Sequence, residues 1–230
     1  MRYSAVIFDL DGVLCSTDIY HYLAWKKIAD EEGVYFDREI NRRLRGVSRE
    51  DSLEILLERS ARVYTKEEKT ALCERKNTIY VRSLDGMTEK DVSDEARKVL
   101  AALKNAGVKL AVGSSSKNTK LILRKTGLTD CFDGVADGTM ISHSKPHPEV
   151  FIKALDLIGG RPCDTVVVED AAAGIDAAVR GGFVSAGIGP AAEYGRTKYV
   201  LRTLSDLLPV VFGESLRNGS PERKAAAAKV

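Results

Sequence analysis

The sequence is short of several things. Aromatic residues make up 7% of its 230 positions, with a single Trp, three His and six Pro. Its four cysteines (Cys15, Cys73, Cys131 and Cys163) are scattered, without a CxxC pair or ligand-like spacing. That pattern argues against structural zinc and a disulfide framework, and points to reduced thiols in a cytosolic protein. Neither sign of charge dominates: 35 Lys plus Arg against 33 Asp plus Glu leaves +2. A balance so near neutral is wrong for a protein that binds nucleic acid through bulk charge. No apolar run approaches a membrane span, and Asp9 and Asp11 break the only N-terminal one. Neither a membrane helix nor a secretory leader is expected. There is no internal repeat and no GxxxxGK[ST]. Gly187-Ile188-Gly189-Pro190 lacks the third glycine of a dinucleotide loop.

What is present suits a folded α/β protein, with 44% hydrophobic and 30% charged residues. Short Val/Ile-rich runs at 5–10, 108–113, 134–136, 165–168, 183–188 and 199–201 do not alternate, as strands buried on both faces should not. Helical patterns at 94–105, 118–125, 148–158 and 174–179 separate them. Gly107, Gly127, Gly159 and Gly181 stand just past the helix ends, where a left-handed stop is wanted. This alternation predicts a doubly wound parallel sheet with right-handed crossovers, a Rossmann-like core.

Residues 18–86 break the pattern, with amphipathic helical stretches at 19–32 and 49–62 and no strand candidate. An insertion of that size is no ordinary crossover. The expected organisation is a core of residues 1–16 and 88–213 and an all-helical domain of residues 17–87. Linkers are expected near 15–17 and 85–93, followed by a frayed or weakly helical tail, 214–230.

In an open parallel sheet the site lies beyond the carboxyl ends of the strands. Those ends carry Asp9 and Asp11, then Ser114-Ser115-Ser116-Lys117-Asn118, then Lys145 ahead of a helix, then Glu169-Asp170. Asp9 and Asp11, at i and i+2, should share a face, where their repulsion calls for a cation. Few hard oxygen ligands, with room for a substrate phosphate, describe Mg²⁺. One carboxylate is then free to attack a phosphoryl group and form an aspartyl-phosphate, and the other to act as general acid and base. Ser114 and Lys145 would hold the phosphoryl oxygens. Each piece has a plain structural reading as loop cap, N-cap or solvated lysine; their joint order along the chain is what carries the argument.

Phe8-Asp9-Leu10-Asp11-Gly12-Val13, Ser114, Lys145-Pro146 and Glu169-Asp170 with Gly174 resemble the four motifs of the haloacid dehalogenase superfamily. The helical insertion resembles that superfamily's cap. The likeness is closer to its β-phosphoglucomutases, through residues 21–26, 45–53, 75–77 and 114–118. The resemblance implies a cytoplasmic Mg²⁺-dependent phosphomutase that interconverts β-glucose 1-phosphate and glucose 6-phosphate, primed by glucose 1,6-bisphosphate. The alternative it leaves is a sugar-phosphate phosphatase. By the same resemblance Asp9 is nucleophile and metal ligand, and Asp11 is acid/base with its carbonyl on the metal. Glu169 and Asp170 are carboxylates at the metal, with Ser114, Ser115 and Lys145 around the transferred phosphoryl. Arg49, Ser116, Lys117 and Asn118 grip the second phosphate. His21 and Lys76 couple substrate binding to Asp11, Thr17 marks the hinge, and Trp25, Gly46, Val47, Ser48 and Ser52 complete the substrate site. Sugar phosphates are the implied partners, with no membrane or nucleic acid, and a monomer is expected.

Some positions depart from that pattern. Ala171 stands where a hydroxyl residue is common and Ser115 where Ala is usual, and residues 137–143 differ from the usual loop. No charged catalytic group is missing, which argues against a non-catalytic sensor. His143 and His147 are four apart, but Pro146 and Pro148 argue against a shared helical face, so no metal role is expected of them.

Overall fold

The computed structural model describes residues 1–213; the expected tail, 214–230, lies outside them. Six strands form one parallel sheet: β1 (Ala5–Phe8), β2 (Lys109–Gly113), β3 (Gly134–Ala136), β4 (Thr165–Glu169), β5 (Val184–Ile188) and β6 (Tyr199–Leu201). Their order is β3-β2-β1-β4-β5-β6, with Ala5 in register with both Lys109 and Thr165. The chain winds outward from β1 in one direction and then from β4 in the other. The crevice at the carboxyl ends of β1 and β4 is therefore the switch point, where such sheets place their sites.

The pleat divides each central strand between two cores. Val6, Phe8, Leu110, Val112, Val166 and Val168 pack on one side, beneath α5 (Asp94–Asn105), α6 (Thr119–Lys125) and α9 (Leu207–Phe212). Ile7, Ala111 and Val167 pack on the other, beneath α7 (Glu149–Ile158) and α8 (Ala172–Arg180). Burial on both faces is why these runs are continuously apolar.

Between β1 and α5 lie α1 (Asp18–Glu31), α2 (Arg38–Arg42), α3 (Arg49–Leu57) and α4 (Lys66–Ser83), with no strand among them. Side-chain caps start three of these helices: Asp37 accepts from Ile40 N, Ser48 from Asp51 N and Thr65 from Glu68 N. Trp25, Ile28, Phe36, Leu53, Leu56 and Leu72 belong to the insertion's own apolar cluster. Among the described residues no helix is long and apolar enough to cross a membrane. All four cysteines are free.

The structure corrects several details. The first strand stops at Phe8, so Asp9 and Asp11 lie in the loop beyond it and owe their common direction to that loop rather than to strand alternation. The helix expected over 49–62 ends at Leu57. Beyond it the apolar spacing ceases and the Ser60 hydroxyl accepts from Arg62 N, a local bond that competes with the helix. Gly181 is right-handed, and Gly182 (φ 77°) takes the left-handed position instead.

Leu110 and Leu56 are fully or almost fully buried in separate clusters. Substituting either by Ala should cost about 2–5 kcal/mol in denaturant unfolding. The double variant should be additive to within about 0.5 kcal/mol, as for sites that share no partners.

Candidate active site

Asp9 is fixed by its own amide, which donates to Val168 O across the switch point at 2.9 Å. Gly12 (φ 80°) turns the loop back, and a Cβ there would sit 2.2 Å from Asp170 Oδ2. Glu169 is wholly buried. Ala171 N donates to its Oε2 at 3.0 Å and Lys145 Nζ to its Oε1 at 2.5 Å. Gly174 is needed beneath it, because a Cβ there would fall 1.9 Å from the Glu169 carboxyl. The Lys145 ammonium, also buried, bridges Glu169 to Asp9 and lies 4.7 Å from the centre of the Phe151 ring.

Carboxylate oxygens of Asp9, Glu169 and Asp170 come within 4.8 Å of one another. Burial raises the Asp9 carboxyl well above its ordinary range; Lys145 opposes this, while Glu169, Asp11 and Asp170 add to it. Burial, then the charge of Glu169, lifts Asp170 to about 7. Asp11 rises to about 6, mainly through burial. Burial would lower Lys145, but Asp9 and Glu169 outweigh it and raise that group. One ammonium thus faces several acidic groups that resist ionising together. An all-oxygen donor set with surplus negative charge fits a hard divalent cation such as Mg²⁺.

The insertion closes over this cluster through polar contacts. Ser115 Oγ donates to Gly46 O at 3.1 Å, and Lys117 Nζ to Glu50 Oε1 at 2.7 Å. Asn77 Oδ1 accepts both from Arg49 Nη2 at 2.8 Å and from Asn118 Nδ2 at 2.9 Å. Ser144 donates to Asp51. Between the two parts lies a cavity of about 340 Å³, with Asp9, Asp11, Asp170, Arg49, Lys117 and Asn118 among its lining residues. On its wall, His21 Nδ1 is 2.9 Å from Lys76 Nζ and His21 Nε2 is 4.0 Å from Asp11 Oδ2. Thr17 donates to Asp11. Burial, then Lys76 and Arg49, lowers the His21 imidazole well below its usual range.

The comparisons with known proteins agree with this layout. Residues 3–182 match the model of the haloacid dehalogenase-like hydrolases. The chain belongs to that family. Among relatives, it is 40% identical over 205 residues to the β-phosphoglucomutase of Bacillus subtilis, covering 88% of this chain and 91% of that one. It is 29% identical over 181 residues to a phosphorylated carbohydrates phosphatase of Thermotoga maritima, covering 77% and 81%. The crystal structure of a β-phosphoglucomutase from Clostridium difficile superimposes with a TM-score of 0.84 at 35% identity, covering 89% and 93%.

Within this haloacid dehalogenase-like chain, most of the residues singled out from sequence line the one cavity. Asp9, Asp11, His21, Trp25, Gly46, Val47, Arg49, Ser52, Lys76, Ser114, Ser115, Ser116, Lys117, Asn118 and Asp170 all do so. Lys145, Glu169 and Thr17 sit buried behind that wall. Ser48 does not line it; its hydroxyl caps α3 and bonds Asp51. Asp18, Asn41, Leu44 and Arg45 also line the cavity, with Asp18 accepting from Arg45 and Asn41. Sequence reasoning missed them: Asp18 reads as an ordinary first-turn acid, and Asn41 lies on a five-residue helix with no periodic signal.

Burial lowers Lys76 to about 7, with Arg49 adding to the fall, from an ordinary 10.5. Between those pH values the unfolded chain holds a proton here that the folded chain has released, so this residue makes stability rise with pH. Lys76→Met should therefore be more stable than wild type at pH 7, and denaturant unfolding should show the gap narrowing toward pH 10. A gap independent of pH would mean that the buried lysine keeps its proton.

Proposed function

We propose that the protein is a β-phosphoglucomutase, interconverting β-glucose 1-phosphate and glucose 6-phosphate through an aspartyl-phosphate and glucose 1,6-bisphosphate. The observation that carries this reading is the lining of one cavity: carboxylates with Lys145 buried beside them, and Arg49, Lys117 and Asn118 as a second set of groups suited to a phosphate, with helical insertion and sheet core both contributing. A phosphatase needs one phosphate site; a mutase must hold a second phosphate while the first reacts. The 40% identity to the Bacillus subtilis enzyme supports the same reading.

In this reading the helical insertion is the cap and Thr17 lies at its hinge. Asp9 Oδ, phosphorylated, gives its phosphoryl group to the C6 hydroxyl of β-glucose 1-phosphate while Asp11 takes the hydroxyl proton. The bisphosphate turns over. Asp9 then attacks the C1 phosphoryl, the C1–O–P bridge breaks on the phosphorus side, and Asp11 returns the proton to the C1 oxygen. Asp9, Glu169, Asp170 and the Asp11 carbonyl would hold a Mg²⁺ ion, which supplies positive charge beside the phosphoryl oxygens. Lys145 and Ser114 serve the same oxygens from the protein side. Arg49 suits the idle phosphate because its planar fork matches that group. With Gly46 and Arg49 on the cap and Ser115 and Lys117 on the core, the cap closes when both phosphate sites are filled, and closure excludes water.

The test is to supply Mg²⁺, β-glucose 1-phosphate and catalytic glucose 1,6-bisphosphate while following glucose 6-phosphate and inorganic phosphate together. Glucose 6-phosphate without phosphate release is expected; phosphate release alone would replace this reading with a sugar-phosphate phosphatase. Asp9→Asn should keep the fold and lose turnover and acid-stable phosphoprotein alike. Arg49→Ala should lower kcat/KM by about 10- to 100-fold, the worth of a hydrogen bond to a charged group at about 1.5–3 kcal/mol. It should also raise the share of phosphate lost to water, read from the same two-product assay.

A further inference from the structure

The loop that brings Lys145 into the site carries a second group of donors on its outer side. Ser142 N and His143 N donate to the Glu149 carboxylate at 3.1 and 2.8 Å, which pins the first residue of α7 against the loop. His147 N donates to Ser144 O at 2.9 Å and closes a turn between the two histidines. Their rings then meet, with centroids 4.7 Å apart and planes inclined at 37°. The prolines forbid a helical face here, as the sequence indicated, but the turn achieves the same juxtaposition without a helix. One donor atom from each of His143, His147 and Glu149 lies within 4.8 Å of the others.

We propose that His143, His147 and Glu149 form a surface site for a divalent transition-metal ion such as Zn²⁺, separate from the carboxylate cluster of Asp9, Glu169 and Asp170. Two imidazoles and a carboxylate are borderline donors that select Zn²⁺, Ni²⁺ or Cu²⁺ over Mg²⁺. Around a tetrahedral ion with ligands at about 2.0–2.1 Å, neighbouring donors lie about 3.4 Å apart. His143 Nδ1 and Glu149 Oε2 already stand 3.2 Å apart. His147 closes the remainder by turning about its side-chain torsions, which its exposure leaves free. Three protein ligands leave a fourth position for water or a ligand. Because Lys145 stands between the two histidines in the chain, the ion would tie down both flanks of the segment that delivers its ammonium to Asp9 and Glu169.

The experiment is equilibrium dialysis of the whole chain against Zn²⁺ with Mg²⁺ in excess, followed by metal analysis. One Zn²⁺ per chain is expected in wild type and in Asp9→Asn, and none in His143→Ala/His147→Ala. Co²⁺ in place of Zn²⁺ should give visible absorption bands that the double variant loses. Both substitutions change exposed side chains, and circular dichroism checks that the fold persists. Absence of bound Zn²⁺ in wild type, its retention by the double variant, or its loss on Asp9→Asn would overturn the assignment.

Discussion

The Lys145 ammonium is the group on which the rest of the site depends. It is buried between Asp9 and Glu169, two carboxylates brought side by side because β1 and β4 are neighbours at the switch point of the sheet. Burial raises the Asp9 carboxyl and Lys145 only opposes that rise, while Asp9 and Glu169 outweigh burial at the lysine and keep it protonated. Removing one member of such a buried pair costs about 3–5 kcal/mol, because the other is left uncompensated. That explains the fixed surroundings: an amide on Glu169, glycines at 12 and 174 where any side chain would strike Asp170 or Glu169, and the Phe151 ring beside the ammonium. Asp9 is thereby fixed in position, with Asp11 and Asp170 as further acidic neighbours.

The contacts that close the insertion over the core differ in kind from those that hold the site. On one side the two parts share apolar packing, with Ala24, Tyr80 and Leu84 in the same cluster as the sheet residues. At the far rim the contacts are polar and partly solvated, as in Lys117–Glu50, whose side chains are 42% and 55% exposed. Pairs of this sort contribute about 0–1 kcal/mol each. Closure is therefore held firmly at one end and weakly at the other. Lys117, which makes a rim contact from the core, and Arg49, bonded to Asn77 within the insertion, are both cations that line the cavity, so an anion bound by the two would strengthen the closed arrangement at its weaker end.

Much of this was legible in the sequence, and the reasons are specific. Buried parallel strands are continuously apolar, so all six could be found, and three of the four glycines expected at helix ends have positive φ. The core cluster was legible because its members sit at strand ends, where topology makes residues distant in sequence converge. The insertion was harder. The amphipathic patterns read at 19–32 and 49–62 are weak in the helices that form there, since one face meets the insertion's own small core and another faces the cavity. Asn41 was therefore not singled out, and Arg45, though inside the motif 45–53, was given no role, although both bind Asp18 at the cavity wall. Ser48 lies inside an informative motif, and its hydroxyl bonds Asp51 in the first turn of α3. The meeting of His143 and His147 depended on turn geometry, which residue spacing does not encode.

A second constraint lies in the wall beside Asp11. His21 packs at a tilt against Tyr80 and is hydrogen-bonded to Lys76, yet its Nε2 is buried without a hydrogen-bond partner among the described residues, 4.0 Å from Asp11. An unmet buried polar atom costs about 1–3 kcal/mol, a cost that is recovered when a partner arrives. A sugar hydroxyl between His21 and Asp11 would supply one, whereas a lone water would bring no phosphate for Arg49 to hold. Lys76 is buried, pushed down to about 7 and hydrogen-bonded to His21, so the wall itself is sensitive to the charge of what enters.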